Sequence, residues 1–222
     1  AGVRSGNLGE PFPEESFRRE ITQLATWHYA PTPHCVDNLL SEGIPEGQIR
    51  LTGNPVVSAL QLYANATVKP PQQHIVLTMH RREWLESVDW TAFLGSLVEA
   101  CTAHPAFTVI WPVHPAVRAR MPSLSGEPRN LWLEPSFDYS TMITSLSTAH
   151  GLASDSGGLV EESTTLGVPT AILRNHNDRP EAVDAGTARQ FSPTDLESAF
   201  AWLTRDHLRT PSWAYGDSTS AH

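Results

Sequence analysis

The chain has little of what would send a protein into a membrane, a disulfide scaffold or a nucleic-acid groove. No apolar run approaches the roughly twenty residues of a membrane span. The opening Ala-Gly-Val-Arg-Ser-Gly-Asn lacks the apolar segment of a secretion signal, and the absence of a leading Met reads as a processed or cut end. Cys35 and Cys101 are the only cysteines. That is too few for a disulfide framework and points to buried, reduced thiols in a cytoplasmic protein. Lys69 is the single lysine, and the net charge is −9. This balance argues against nucleic acid or an anionic membrane as partner. An anionic ligand must then be held by a local set of donors, and Arg suits bidentate phosphate contacts. Also missing are a Gly-x-Gly-x-x-Gly run, a Walker loop, metal-ligand spacing among the His residues, and the elbow that flanks a catalytic serine. No metal and no cofactor is expected.

What is present is an ordinary globular composition, 40% hydrophobic and 18% charged, over 222 residues. That is room for one large domain or one and a half ordinary ones. From residue 74 onward, strand-like and helix-like segments alternate. Strands are expected at 74–79, 107–113, 130–134, 149–154 and 169–173. Helices are expected at about 88–103, 138–147, 158–166, 180–185 and 193–204. Such alternation predicts a parallel sheet with helices on both faces and a ligand at the carboxyl ends of the strands. The first 68 residues offer helices near 14–26, 33–42 and 56–65 and short strand-like runs at 28–32 and 48–51. They have too few strands to close a sheet of their own. Lys69-Pro70-Pro71-Gln72-Gln73 reads as a linker.

The residues suited to chemistry fall at the expected strand ends. Asp155-Ser156-Gly157-Gly158 joins a strand to a helix. Two glycines there let backbone N–H groups approach a ligand without a Cβ in the way, and the helix start offers unpaired donors and partial positive charge to a phosphate. Glu162 lies one turn on from Gly158, placed to grip the hydroxyls of a ribose. Alternatively, Ser-Gly-Gly is a plain helix cap. His80-Arg81-Arg82-Glu83 follows the first strand of the sheet. A His there suits acid/base work near neutral pH, its Arg neighbours suit phosphate, and a surface ion-pair cluster is the competing reading. Glu14 and Glu15 open a helix, where carboxylates favour the positive end of the dipole. His114 ends the second strand as a ligand contact or a core histidine. Arg179 precedes a helix-starting Pro180 and suits a phosphate or an ion pair.

In this order the pieces resemble the non-hydrolysing UDP-N-acetylglucosamine 2-epimerases. The motifs are Ala1-Gly2-Val3-Arg4-Ser5-Gly6, Pro13-Glu14-Glu15, Thr52-Gly53-Asn54, His80-Arg81-Arg82-Glu83, Pro112-Val113-His114, Asp155-Ser156-Gly157-Gly158 with Glu161-Glu162, and Arg179-Pro180-Glu181-Ala182-Val183, with a weaker match at Tyr215-Gly216-Asp217. The resemblance implies two Rossmann-like domains of the glycosyltransferase-B type facing across a cleft. Residues 1–68 would be a remnant of the N-terminal domain, 69–205 the C-terminal UDP-binding domain and 206–222 a tail. It also implies interconversion of UDP-GlcNAc and UDP-ManNAc by elimination and re-addition of UDP, in a homodimer that makes polysaccharide precursors. By that likeness Glu14 and His80 are catalytic. Ser156, Gly157 and Gly158 meet the phosphates, Glu162 the ribose, and Arg81 and His114 the nucleotide or a second regulatory site; Arg179 is counted among the substrate-binding residues.

The sequence also departs from the family. A catalytic Glu would stand just before Ala1 and a catalytic Asp further upstream, so the 222-residue chain alone is expected to turn over little. Trp84 stands where the family usually has Asn, and Asn177-Asp178 replaces Thr-Glu. The alternatives are a non-catalytic nucleotide-sugar binding fragment, or a hydrolysing epimerase or glycosyltransferase relative.

Overall fold

A computed structural model describes residues 1–63, 72–124 and 126–216. Most of the expected linker, Lys69 to Pro71, and Asp217 lie outside them.

The N-terminal block runs α1 (Glu14–Leu24), β1 (His28–Ala30), α2 (Pro33–Ser41), β2 (Ile49–Leu51) and α3 (Pro55–Tyr63). Its two strands pair in parallel, His28 opposite Ile49. Helix α2 begins where the Thr32 hydroxyl accepts from the Cys35 amide at 3.2 Å, with Pro33 at the first helical position. Ala30, Cys35, Leu39 and Ile49 form a small core there.

The rest is one parallel sheet and its helices. The strands are β3 (His74–Thr78), β4 (Thr108–Val113), β5 (Leu131–Pro135), β6 (Gly151–Ser154), β7 (Thr170–Leu173) and β8 (Ala188–Phe191). Helices α4 (Arg82–Ser87) and α5 (Trp90–Ala103) follow β3, and α6 (Pro115–Arg118) follows β4. Then come α7 (Tyr139–Thr148), α8 (Gly157–Leu166), α9 (Pro180–Asp184) and α10 (Leu196–Leu203). The spatial order is β5-β4-β3-β6-β7-β8, every pair parallel. This is the doubly wound order, reversing between β3 and β6. The crevice outside the carboxyl ends of those two strands is where such sheets bind ligands.

Strands β3, β6 and β7 are buried at every position, as a sheet covered on both faces requires. Alternate residues of β3 feed opposite cores. Ile75 and Leu77 join Phe93 and Leu97 of α5 and Phe200 and Leu203 of α10. Val76 joins Ile143 and Leu146 of α7 and Leu60 of α3. Helix α3 lies before the expected boundary at residue 68, yet it packs Val57 and Leu60 into these sheet cores.

The expected helix at 88–103 is α5, which begins two residues later, and the short α4 before it was not expected. Asp89 caps α5, accepting from Thr91 N and Ala92 N. After α10 the chain returns across the molecule. Tyr215, 1% exposed, is buried beside Val57 and Val160, and its carbonyl accepts from the Asn54 amide at 2.8 Å. Gly53 and Gly216 cross here with φ of +73° and +93°. A Cβ on Gly216 would lie 2.6 Å from Gly53 Cα. Only glycine meets both demands.

Candidate functional site

The ends of β3 and β6 are welded by hydroxyls and one carboxylate. Thr78 Oγ1 and Ser154 Oγ are 2.6 Å apart, and Ser154 Oγ accepts from the Ser156 amide at 3.0 Å. Asp155, 1% exposed, directs Oδ2 at the next strand end and accepts from the amides of His80 (2.7 Å) and Arg81 (2.8 Å). Its other oxygen lies 3.2 Å from His80 Nδ1, within ion-pair distance but without hydrogen-bond alignment. The Arg81 Nε donates back to the Asp155 carbonyl at 3.0 Å. One buried aspartate thus sets the backbone from which His80 projects.

His80 is half-exposed, and its ring stacks on that of His114, with centroids 5.6 Å apart and planes at 29°. His114 caps α6, its Nδ1 accepting from the Ala116 amide at 3.2 Å. That bond fixes the tautomer with the proton on Nε2 when the ring is neutral. Both histidines therefore stand at the switch point, and Arg81 braces it.

Helix α8 starts beside them. Ser156 is its cap, with the hydroxyl accepting from Leu159 N at 3.4 Å. The side chain of Ser156 is thus engaged. The amides of Gly157 and Gly158 open the helix, where no intrahelical acceptor exists. Gly158 is exposed, and a Cβ there would meet open space. Gly157 is buried, and a Cβ would lie 3.4 Å from Arg179 Nη2. The Arg179 guanidinium thus packs against the start of α8.

Arg179 is 14% exposed in its side chain and lies among carboxylates. Its Nε donates to Glu161, and Nη1 lies 3.1 Å from Asp178 Oδ2. Asn54 donates to the second Glu161 oxygen at 2.8 Å. Asp178 is fully buried between Arg174, Arg179 and Arg18. Burial alone would raise its pKa, but the charges of Arg179, Arg174 and Arg18 outweigh that and hold it well below the usual carboxylate range. Glu162 is different. It is 6% exposed, and burial pushes its pKa up to about 7, with the Tyr139 hydroxyl pulling it down and the Glu161 charge pushing it up.

Glu14 is exposed at the start of α1, whereas Glu15 is buried and braced by Arg18 and Arg19 at 3.3 and 3.4 Å and by the Ser5 amide at 3.1 Å. The structure therefore separates two adjacent acids that look alike in sequence. It brings His80, Arg81, His114, Ser156, Gly157 and Gly158 together at the strand ends. Among the described residues, no hydrogen bond or ion pair joins Glu14 to them. Sequence reasoning passed over Asp155 as an organiser and Tyr139 as the neighbour of Glu162. Only the adjacency of β3 to β6 reveals the first, and only the packing of α7 on α8 reveals the second. Among the described residues, no three of His, Cys, Asp or Glu gather as a metal ion would need, and no helix is long and apolar enough to cross a membrane.

The fold and site define a class, the doubly wound α/β domain with a ligand crevice at its switch point. A glycosyltransferase of kitacinnamycin shares the fold at 17% identity and a TM-score of 0.52, over 82% of this chain and 49% of that one. The chain belongs to the UDP-N-acetylglucosamine 2-epimerase family, whose model matches residues 1–222. A relative from Neisseria meningitidis named UDP-N-acetylglucosamine 2-epimerase is 36% identical over 207 residues, 85% of this chain and 55% of its own length. A probable UDP-N-acetylglucosamine 2-epimerase of Ralstonia solanacearum is 37% identical over 227 residues, 93% of this chain and 60% of its length. The N. meningitidis 2-epimerase structure bound to UDP-GlcNAc superposes with a TM-score of 0.84 at 30% identity, covering 100% of this chain and 66% of that one. An S. aureus structure in complex with UDP gives 0.87 at 26% identity, covering 100% and 65%. The chain thus spans a little over half the length of the curated relatives it matches.

Proposed function

We propose that this chain forms the UDP-holding part of an enzyme that interconverts UDP-GlcNAc and UDP-ManNAc. In this reading residues 1–68 are a remnant of the first domain and 69–205 the nucleotide domain, with α3 sharing the latter's core. The amides of Gly157 and Gly158 receive the diphosphate at the positive end of α8. The capped Ser156 contributes by fixing that helix start, and Arg179 by packing behind it. Glu162 takes the ribose, and His114 and Arg81 stand at the nucleotide's edge. Inverting C2 requires removing a proton from one face of the sugar and returning one to the other, so two acid/base groups must flank it. His80 supplies one and Glu14 the other. The amides at the α8 terminus stabilise the departing diphosphate from donors already in place. The protein works in the cytoplasm, as a homodimer, with no metal or redox cofactor, upstream of polysaccharide synthesis.

The observation that supports this best is the junction itself. A buried Asp155 ties the His80 backbone to the start of α8, so an acid/base group and a diphosphate cradle share one rigid corner. Proton NMR of UDP-GlcNAc in D₂O with the chain extended upstream checks it. Deuterium should enter C2 with UDP retained in the nucleotide sugar. His80→Ala should slow this exchange by about 10²- to 10⁴-fold while UDP still binds. Full activity in that variant removes His80 from the chemistry. Accumulating free UDP indicates a hydrolysing enzyme instead.

A further inference from the structure

We propose that Asp155 is a positioning residue for His80: one of its carboxylate oxygens holds the imidazole proton on Nδ1, so that Nε2 is the atom that exchanges protons with the sugar. The inference rests on the functional reading above, in which His80 is one of the two acid/base groups. The two oxygens of Asp155 are in different situations. Oδ2 accepts from the His80 and Arg81 amides at 2.7 and 2.8 Å, which fixes the side chain. Oδ1 is buried and, among the described residues, has no hydrogen-bond partner. A buried acceptor left without a donor is costly, and one in a native fold calls for a reason. Oδ1 lies 3.2 Å from His80 Nδ1. Hydrogen bonds of catalytic groups often align only in the substrate complex. Here a turn of the ring about its Cβ–Cγ bond brings the N–H into line with Oδ1. The stacked ring of His114, 5.6 Å away between centroids, bounds that motion on one side.

The chemical consequence is a fixed tautomer. A neutral imidazole carries one proton, and the partner of either nitrogen decides where it sits. An ionised carboxylate accepts and cannot donate, so the nitrogen opposite Oδ1 carries the proton. Nε2 is left with its lone pair and works as the base. When Nε2 takes a proton from C2 of the sugar, the ring carries a proton on each nitrogen and a positive charge. The Asp155 carboxylate stabilises that charge. The ring returns to neutral by giving up the Nε2 proton, while Nδ1 keeps its own throughout. An amide in place of the carboxylate reverses the arrangement. In Asp155→Asn the single oxygen is claimed by the two backbone amides, because an NH₂ group there would face two donors. The NH₂ then faces Nδ1, which has to accept, and the ring proton moves to Nε2.

The test has two arms. The first is nitrogen NMR of the chain carrying isotopically labelled histidine, at about pH 9, above the ordinary imidazole range. The His80 signals are assigned by their loss in His80→Gln. The parent should show the proton on Nδ1 and a bare Nε2, and Asp155→Asn should show the reverse. A parent ring protonated on Nε2 overturns the proposal without recourse to any variant. A proton that stays on Nδ1 in Asp155→Asn overturns it too, since a merely structural aspartate would leave the tautomer unmoved. The second arm is C2 exchange of UDP-GlcNAc in D₂O with the chain extended upstream. Asp155→Asn should slow exchange by about 10²- to 10⁴-fold with UDP binding kept. Added to His80→Ala it should slow exchange no further, as for residues that act as a unit. A parental rate in Asp155→Asn, or losses that multiply in the double variant, overturns the role of Asp155 and leaves the functional reading standing. A parent that neither exchanges C2 nor binds UDP overturns that reading, and the proposal with it.

Discussion

The N-terminal block and the six-stranded sheet hide their apolar surface to very different degrees. In the sheet, side chains such as Phe200, Leu97 and Trp111 have no exposure, and helices cover both faces. In the block, Phe17, Ile21 and Leu24 of α1, Trp27 just before β1 and Tyr29 within it stand half or more in solvent. Its two-stranded sheet buries only one small cluster. Beyond the packing of Val57 and Leu60 of α3 into the sheet cores, the block is tied to the other region by polar links. Arg18 reaches Asp178 at 3.0 Å, Asn54 reaches Glu161 at 2.8 Å, and Thr32 donates to Glu181. Each link ends on an acid flanking Arg179. One region carries a large hydrophobic core; the other is anchored to it through α3 and, at α1 and α2, through polar and charged links.

This contrast predicts opposite responses to loss of an apolar side chain. Phe200→Ala opens a cavity between α10 and the sheet and should cost about 3–5 kcal/mol, seen as a large drop in the midpoint of denaturant unfolding. Ile21→Ser removes a side chain that is 61% exposed and should stay within about 0.5 kcal/mol. Equal losses would mean that the α1 face is covered by something outside the described residues.

The same contrast explains what was legible beforehand. Parallel strands buried on both faces read as short apolar runs, so β3 to β7 stood out close to their true limits. β8 did not. Its Ala-Arg-Gln-Phe is short, lies at the sheet edge and exposes its Arg and Gln, so it carries no strand pattern. The short α4 carried no helical signal of its own, and Asp89 marks the start of α5. At the site, Gly157-Gly158 and His80 were visible as motifs at strand ends. The order of the strands was not, and it is the β3–β6 adjacency that makes Asp155 the organiser. Arg179 reads as a phosphate contact or an ion-pair partner. Its engagement with Glu161 and Asp178 depends on side chains converging from α1, α8 and the loop after β7, which a single sequence cannot show. Gly157 reads as a ligand approach, and the structure also places the Arg179 guanidinium against it.

The charged junction between the regions gives the second test. Asp178→Asn leaves Arg174, Arg179 and Arg18 facing one another with a neutral partner. Removing one member of a buried ion cluster costs about 3–5 kcal/mol. The pH dependence follows from the depressed pKa of Asp178. Its contribution is complete above the ordinary carboxylate pKa of about 4 and is lost as pH falls through the lower folded value. The parent should therefore lose stability below about pH 4 with a steeper slope than Asp178→Asn. Parallel slopes would show that the cluster is not what acid disrupts.

A smaller effect is expected where the tail meets the block. Gly216→Ala forces a residue with a Cβ to a φ of +93° and against Gly53 Cα at 2.6 Å. Strain of this kind costs about 1–3 kcal/mol. The crossing backbone must move apart, and the bond from Asn54 N to Tyr215 O should weaken with it. Amide hydrogen exchange at Asn54 should then quicken, while exchange in β3 and β6 keeps pace only with the global loss.

The smallest expected effect separates the two regions most cleanly. Arg18→Ala breaks the link from α1 to Asp178, but Arg174 and Arg179 still neutralise that acid, and Arg19 still faces Glu15. Neither carboxylate is left alone, so the large penalty for a buried unpaired charge does not apply. What is lost is two ion pairs of a partly exposed arginine, to Asp178 and to Glu15, about 1–2 kcal/mol together. Such a loss falls on the link and not on either core. If the block borrows its order through charge, hydrogen exchange in α1 should rise more than exchange in β3 to β7. If instead α3 alone anchors the block through Val57 and Leu60, α1 should exchange as in the parent.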